Sequence, residues 1–111
     1  MEYINKIELA GKVGRVSKTL VKGESLDNYE VICVKFPVCV CKTYEGKDGH
    51  VIINSQWFAC TWHTDKPMDV VDSLIKLNEY VHVIGELNTV RYTSSRGDES
   101  VTEIKVKNIV L

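Results

Sequence analysis

The chain has no hydrophobic run approaching the roughly 20 residues of a membrane-spanning helix, and Met1-Glu2-Tyr3 opens no signal peptide. These absences lead us to expect an intracellular, cytoplasmic protein. Excess positive charge is also lacking. The formal net charge of −1 argues against a protein that coats duplex nucleic acid. Proline occurs only twice, at Pro37 and Pro67. Cysteine occurs four times, but Cys33, Cys39, Cys41 and Cys60 show neither paired CxxC zinc spacing nor a disulfide framework. They sit within apolar runs, where reduced cysteine packs as a small hydrophobe, and we expect them to fill the core. His50, His63 and His82 are dispersed. No HExxH pair, glycine-rich phosphate loop or Ser/His/Asp arrangement is present, so neither an enzyme nor a metal or cofactor site is expected.

At 111 residues the chain suits one domain, residues 1–111. Its periodicity is that of strands. From Tyr3 to Lys18, Ile7, Leu9 and Val13 recur at period two, with Gly11 and Gly14 marking bends or close approaches, which predicts a long curled first strand. Thr19 to Asn28 reads as a loop. Tyr29–Tyr44 and Val51–His63 form a predicted hairpin around the loop Glu45–His50, with Pro37 marking an edge or bulge. Asp65-Lys66-Pro67 followed by MDVVDSLIKL predicts a helix of about three turns, capped by Asp65, with Val70, Val71, Leu74, Ile75 and Leu77 at helical spacing. Tyr80–Tyr92 and Ser100–Leu111 supply two more strands joined by SSRGDE, and a phase change in the last predicts a bulge near Lys107. Three strands, a helix between the third and fourth, then two strands is the order of an all-β, five-stranded OB-fold Greek-key barrel, a platform that commonly binds oligonucleotides or oligosaccharides. SH3-like and other small β barrels remain open on periodicity alone.

Strand parity sorts the aromatic residues. Phe58, Cys60 and Trp62 share one face of the third strand and belong in the core, whereas Trp57 shares the other with Ala59, Thr61 and His63. Tyr92 falls opposite the core set of the fourth strand, and Tyr44 lies at the far end of the second, beside the loop carrying Lys47. Exposed rings can stack bases, at about 1–3 kcal/mol each; equally, they can cover barrel ends or fill an interface. Basic residues are concentrated early, with Lys6, Lys12, Arg15, Lys18 and Lys22 facing only Glu2 and Glu8.

On these residues the chain resembles the bacterial single-stranded DNA-binding proteins across nearly its whole length, and also their shorter relative, primosomal replication protein N. The matching blocks are Asn5 to Arg15 (NKIELAGKVGR), Gln56-Trp57, Val81 to Tyr92 (VHVIGELNTVRY) and Thr102 to Val106 (TEIKV). The resemblance implies single-stranded DNA as partner in replication, recombination or repair, and with it a nucleoid-associated location. It places stacking aromatics at Tyr44, Trp57 and Tyr92, with a fourth position at His63 or, one residue over, Trp62. Arg91 keeps the family's basic position before the last aromatic, but usually basic positions hold Ala59, Asp65 and Val90 here. Phosphates would meet Lys12, Arg15, Lys42, Lys47, Arg91, Arg96 and Lys105. The resemblance further implies a homo-oligomer, tetramer or dimer, with the first strand helping to form the interface. The chain lacks the family's Gly/Gln/Pro-rich tail and acidic tip, so enzyme recruitment through that tail is not expected. The other reading is an assembly module like primosomal replication protein N, in which contacts with replication or primosome proteins dominate.

Overall fold

In the computed structural model, which describes residues 1–111, the elements are β1 (Ile7–Val13), β2 (Ser17–Ser25), β3 (Asn28–Glu45), β4 (Val51–Thr64), α1 (Met68–Leu74), β5 (Tyr80–Ser94) and β6 (Gly97–Ile109). Strands β1, β5, β6, β4 and β3 pair in that order, and β3 returns to β1, closing a five-stranded barrel. All pairings are antiparallel except β4–β6, which meet in parallel at Cys60 with Ile104 and Thr61 with Lys105. This closed barrel with one short helix is the OB architecture.

The expected first strand is two strands. β1 ends at Val13, opposite Val38, and β2 begins at Ser17, opposite Lys35, so both run along the same edge of β3 with a break between them. β2 continues through most of the segment expected to be loop. Gly23, Ser25 and its largely exposed residues carry no hydrophobic alternation, and the ladder with β3, interrupted by bulges, is what makes it a strand. This additional strand moves the helix to a place between β4 and β5 rather than between the third and fourth strands. Pro37 fits the break between β1 and β2 without any bulge against β4. Its carbonyl accepts from Gly14 N–H at 2.9 Å, and the missing proline N–H faces that same edge, where the interrupted ladder requires no donor.

Close approach sets the glycines on β1 and β5. A Cβ on Gly11 would lie 2.2 Å from the Cys39 carbonyl oxygen, and one on Gly85 would lie 2.2 Å from that of Lys105. At Gly85 the ladder steps from Ile84–Asn108 to Gly85–Val106, leaving Lys107 as the extra residue of a bulge, at the expected place. Beyond β1, the Asn5 side-chain amide both donates to the Leu87 carbonyl and accepts from Leu87 N–H, each at 2.9 Å, acting as a surrogate ladder residue.

Inward-facing Val13, Ile32, Val34, Phe36, Val38, Cys60, Trp62, Val83 and Ile104 fill the barrel, and Val71 and Ile75 of the helical segment plug it. The helix is shorter than expected, at seven residues. Pro67 rather than Asp65 occupies the N-cap, and no side chain caps it. Ile75 turns to extended geometry so that its apolar side chain can pack, which leaves Leu77 outside the helix and exposed. The cysteines are all free, and only Cys33 and Cys60 are buried; burial pushes the Cys60 thiol up to about 12. Cys41 is exposed because β3 has left the barrel by that point, so its expected core role does not hold.

Candidate nucleic-acid interface

The two tryptophans divide as parity predicts. Trp62 is 6% exposed in the core and Trp57 is 60% exposed on the outer face of β4. Trp57 is braced from below: a Cβ on Gly14 would lie 2.9 Å from its Cζ3 and 2.7 Å from Pro37 Cγ. Thus the break between β1 and β2, which needs a small residue, also makes a seat for the indole.

Trp57 lines one of two neighbouring clefts. One is mostly apolar and is lined by Ile7, Leu9, Trp57, Phe58, Leu87 and Ile104, among others. The other is polar and includes Arg15, Ser17, Lys35, Pro37 and Thr61. Ala59 and Glu103 belong to both, so the clefts form one continuous outer surface over β4 and β6. The Thr61 hydroxyl donates to Glu103 Oε2 at 2.7 Å across the parallel β4–β6 contact. A flat, hydrophobic wall beside a cationic one is suited to a base and its phosphate.

The other expected rings are spread over the two long hairpins. Tyr44, opposite Ile52, is 54% exposed on the β3–β4 ribbon, but has the parity opposite to Trp57 and so occupies the ribbon's other face. Tyr92 is exposed on the β5–β6 hairpin, whose base at Leu87 and Thr102 borders the Trp57 cleft. Its hydroxyl donates to Glu99 Oε2 at 2.7 Å, and this hydrogen bond, with a smaller contribution from desolvation, raises the phenol above its ordinary pKa. Arg91 pairs with Ser100 and has the opposite parity, so Arg91 and Tyr92 point to different faces. His63 is exposed opposite Cys33, on the same face of β4 as Trp57.

The cations are similarly distributed. Arg15 lines the polar cleft, whereas Lys12 lines a separate one with Cys39, Cys41, Ser55 and Tyr80. Lys42 and Lys47 ride on the β3–β4 hairpin, Arg96 occupies the β5–β6 turn, and Lys105 lies in β6 opposite Glu86 and Thr61. None of the seven expected phosphate contacts is engaged in an ion pair; Lys18, Lys22 and Lys107 are instead held by Asp72, Glu30 and Glu86. Sequence reading missed Lys35, Thr61 and Glu103 as site residues. Their only sequence signal is parity, since Lys35 falls in step with Pro37 and Cys39, and Thr61 in step with Trp57 and Ala59.

No family model matches the chain, and no curated protein does. Solved structures do. A single-stranded DNA-binding protein of Plasmodium falciparum, solved in complex with single-stranded DNA, superposes with a TM-score of 0.71 at 20% identity, covering 95% of this chain and 88% of that one. A deletion mutant of the single-stranded DNA-binding protein from Thermus aquaticus gives 0.70 at 11% identity, over 96% of this chain and 49% of that one. The chain has the OB fold. At these identities the likeness carries architecture, and chemistry must be argued from the residues.

Proposed function

We propose that the protein is a non-catalytic, largely sequence-independent single-stranded DNA-binding protein acting in DNA replication, recombination or repair. The observation that carries this reading is Trp57, an exposed indole braced by Gly14 and Pro37 on the outer face of an OB barrel, whose cleft shares Ala59 and Glu103 with a second cleft lined by Arg15 and Lys35. Bases stack on Trp57, with Tyr92, Tyr44 and His63 available farther along, while unpaired Lys and Arg side chains neutralise phosphates. The Plasmodium protein of the same fold was solved with single-stranded DNA, which supports the choice of ligand. The spread of the rings over two faces favours a strand that wraps around the barrel and its hairpins over one lying in a straight groove.

Titration with oligo(dT) at several salt concentrations, following tryptophan fluorescence and oligomeric mass, tests this. Trp62 is buried, so quenching reports on Trp57. The log of affinity should fall linearly with log salt, by about 0.7 per phosphate neutralised. Neither quenching nor salt-dependent binding would sink the proposal.

Self-association belongs to the same reading, as a dimer or tetramer. β2 pairs only with β3 and leaves an outer edge free. The near-neutral charge and the acidic Glu99 and Glu103 near the rings favour a second reading, an assembly module whose DNA contact is secondary. Binding that ignores salt, and that survives loss of both Trp57 and Tyr92, would favour it.

A further inference from the structure

We infer that Glu103 is a specificity-determining residue that accepts hydrogen bonds from a guanine stacked on Trp57; this rests on the single-strand reading above. A carboxylate is out of place on a surface meant for phosphates, since it repels them. Yet Glu103 lines both clefts, sharing one with Trp57 and the other with Arg15 and Lys35. It is partly buried and joins none of the molecule's ion pairs. The Thr61 hydroxyl, itself on a buried residue, holds Oε2 and leaves Oε1 free of any protein partner.

The chemistry then selects a base. An ionised carboxylate only accepts. Guanine alone presents two adjacent donors on its Watson–Crick edge, N1–H and the N2 amino group, which match two carboxylate oxygens. Thymine offers one N3–H between two carbonyls that repel the carboxylate. Adenine and cytosine set an amino group beside a ring-nitrogen acceptor. Glu103 lines the same cleft as Trp57, which puts its carboxylate among the groups that the edge of a base stacked on that indole would meet. Asn88, opposite Glu103 in the β5–β6 ladder, adds an exposed amide on the same face. The preference is local, one base within an otherwise indifferent path, and Thr61 is the positioning residue for it.

The test uses the full chain and three 15-mers: all-thymidine, the same with one central guanosine, and the same with inosine there, which lacks only the N2 amino group. The wild type should bind the guanosine oligomer about fivefold or more tighter than the inosine oligomer, the lower end of the discrimination a bidentate base contact provides. Glu103→Gln and Thr61→Val should bring that ratio close to one, and Glu103→Gln should raise rather than lower all-thymidine affinity because it removes a charge that repels phosphates, a pattern that loss of fold would not produce. Equal binding of guanosine and inosine by the wild type, or a ratio that survives Glu103→Gln, overturns the inference. Failure to bind any of the three would instead remove the single-strand reading on which it stands.

Discussion

The consequences are sharpest at Trp57. Replacing it with Ala should abolish fluorescence quenching by oligo(dT) and weaken binding by about 1–3 kcal/mol, the range for one stacked base, whereas Trp62→Phe should leave quenching intact. Tyr92 carries a pH prediction. Its phenol is raised because the neutral hydroxyl donates to Glu99, so this interaction is fully present below the ordinary tyrosine range and is lost as pH rises through the raised value. Glu99→Gln should lower the Tyr92 titration midpoint towards the ordinary one, which ultraviolet difference or NMR titration would follow. An unmoved midpoint would mean that the hydrogen bond does not hold the ring. Both exposed rings were legible as such from strand parity alone. That Arg91 and Tyr92, neighbours in sequence, face opposite ways follows from the same period-two rule, yet a strand end described only as a basic–aromatic pair conceals it.

At the scale of elements, the glycines of β1 and β5 mark where strands come too close for a side chain. Gly85→Ala puts its Cβ against the Lys105 backbone at the bulge and should cost about 1–3 kcal/mol of folding stability, as overpacking does. Denaturant unfolding measures it, and a change below 0.5 kcal/mol would show that the bulge can relax. Asp65→Ala, by contrast, should stay within about 0.5 kcal/mol, because Asp65 does not cap the helix and lies on the surface. The bulge at Lys107 was readable from the phase change between Val106 and Ile109. β2 was not, because a strand with little burial shows no alternation, and its identity comes from hydrogen bonds to β3. Helix length is hidden in the sequence for a related reason. Ile75 and Leu77 keep the helical spacing, but packing draws Ile75 into the core in extended geometry and leaves Leu77 exposed.

For the whole molecule, the proposed function makes strand binding depend on cations placed on separate projections. Lys42 and Lys47 on one hairpin and Arg96 on the other lack ion-pair partners, so replacing all three with Gln should lower the log–log salt slope by up to about 2, at roughly 0.7 per phosphate contact. An unchanged slope would confine the strand to the barrel face around Arg15 and Lys35. The hairpins extend the molecule to 58 × 38 × 37 Å, offering a longer path than the barrel itself.

The two long hairpins, the inward Phe58, Cys60 and Trp62 and the outward Trp57 could be read from residue types and period-two alternation, because burial of one strand face imposes them locally. The split of the first strand, the seat that Gly14 and Pro37 make for Trp57, and the meeting of Thr61, Glu103, Arg15 and Lys35 could not. These residues come from β6, β4, β3 and the break between β1 and β2, and only closure of the barrel, with its parallel β4–β6 contact, brings them to one surface.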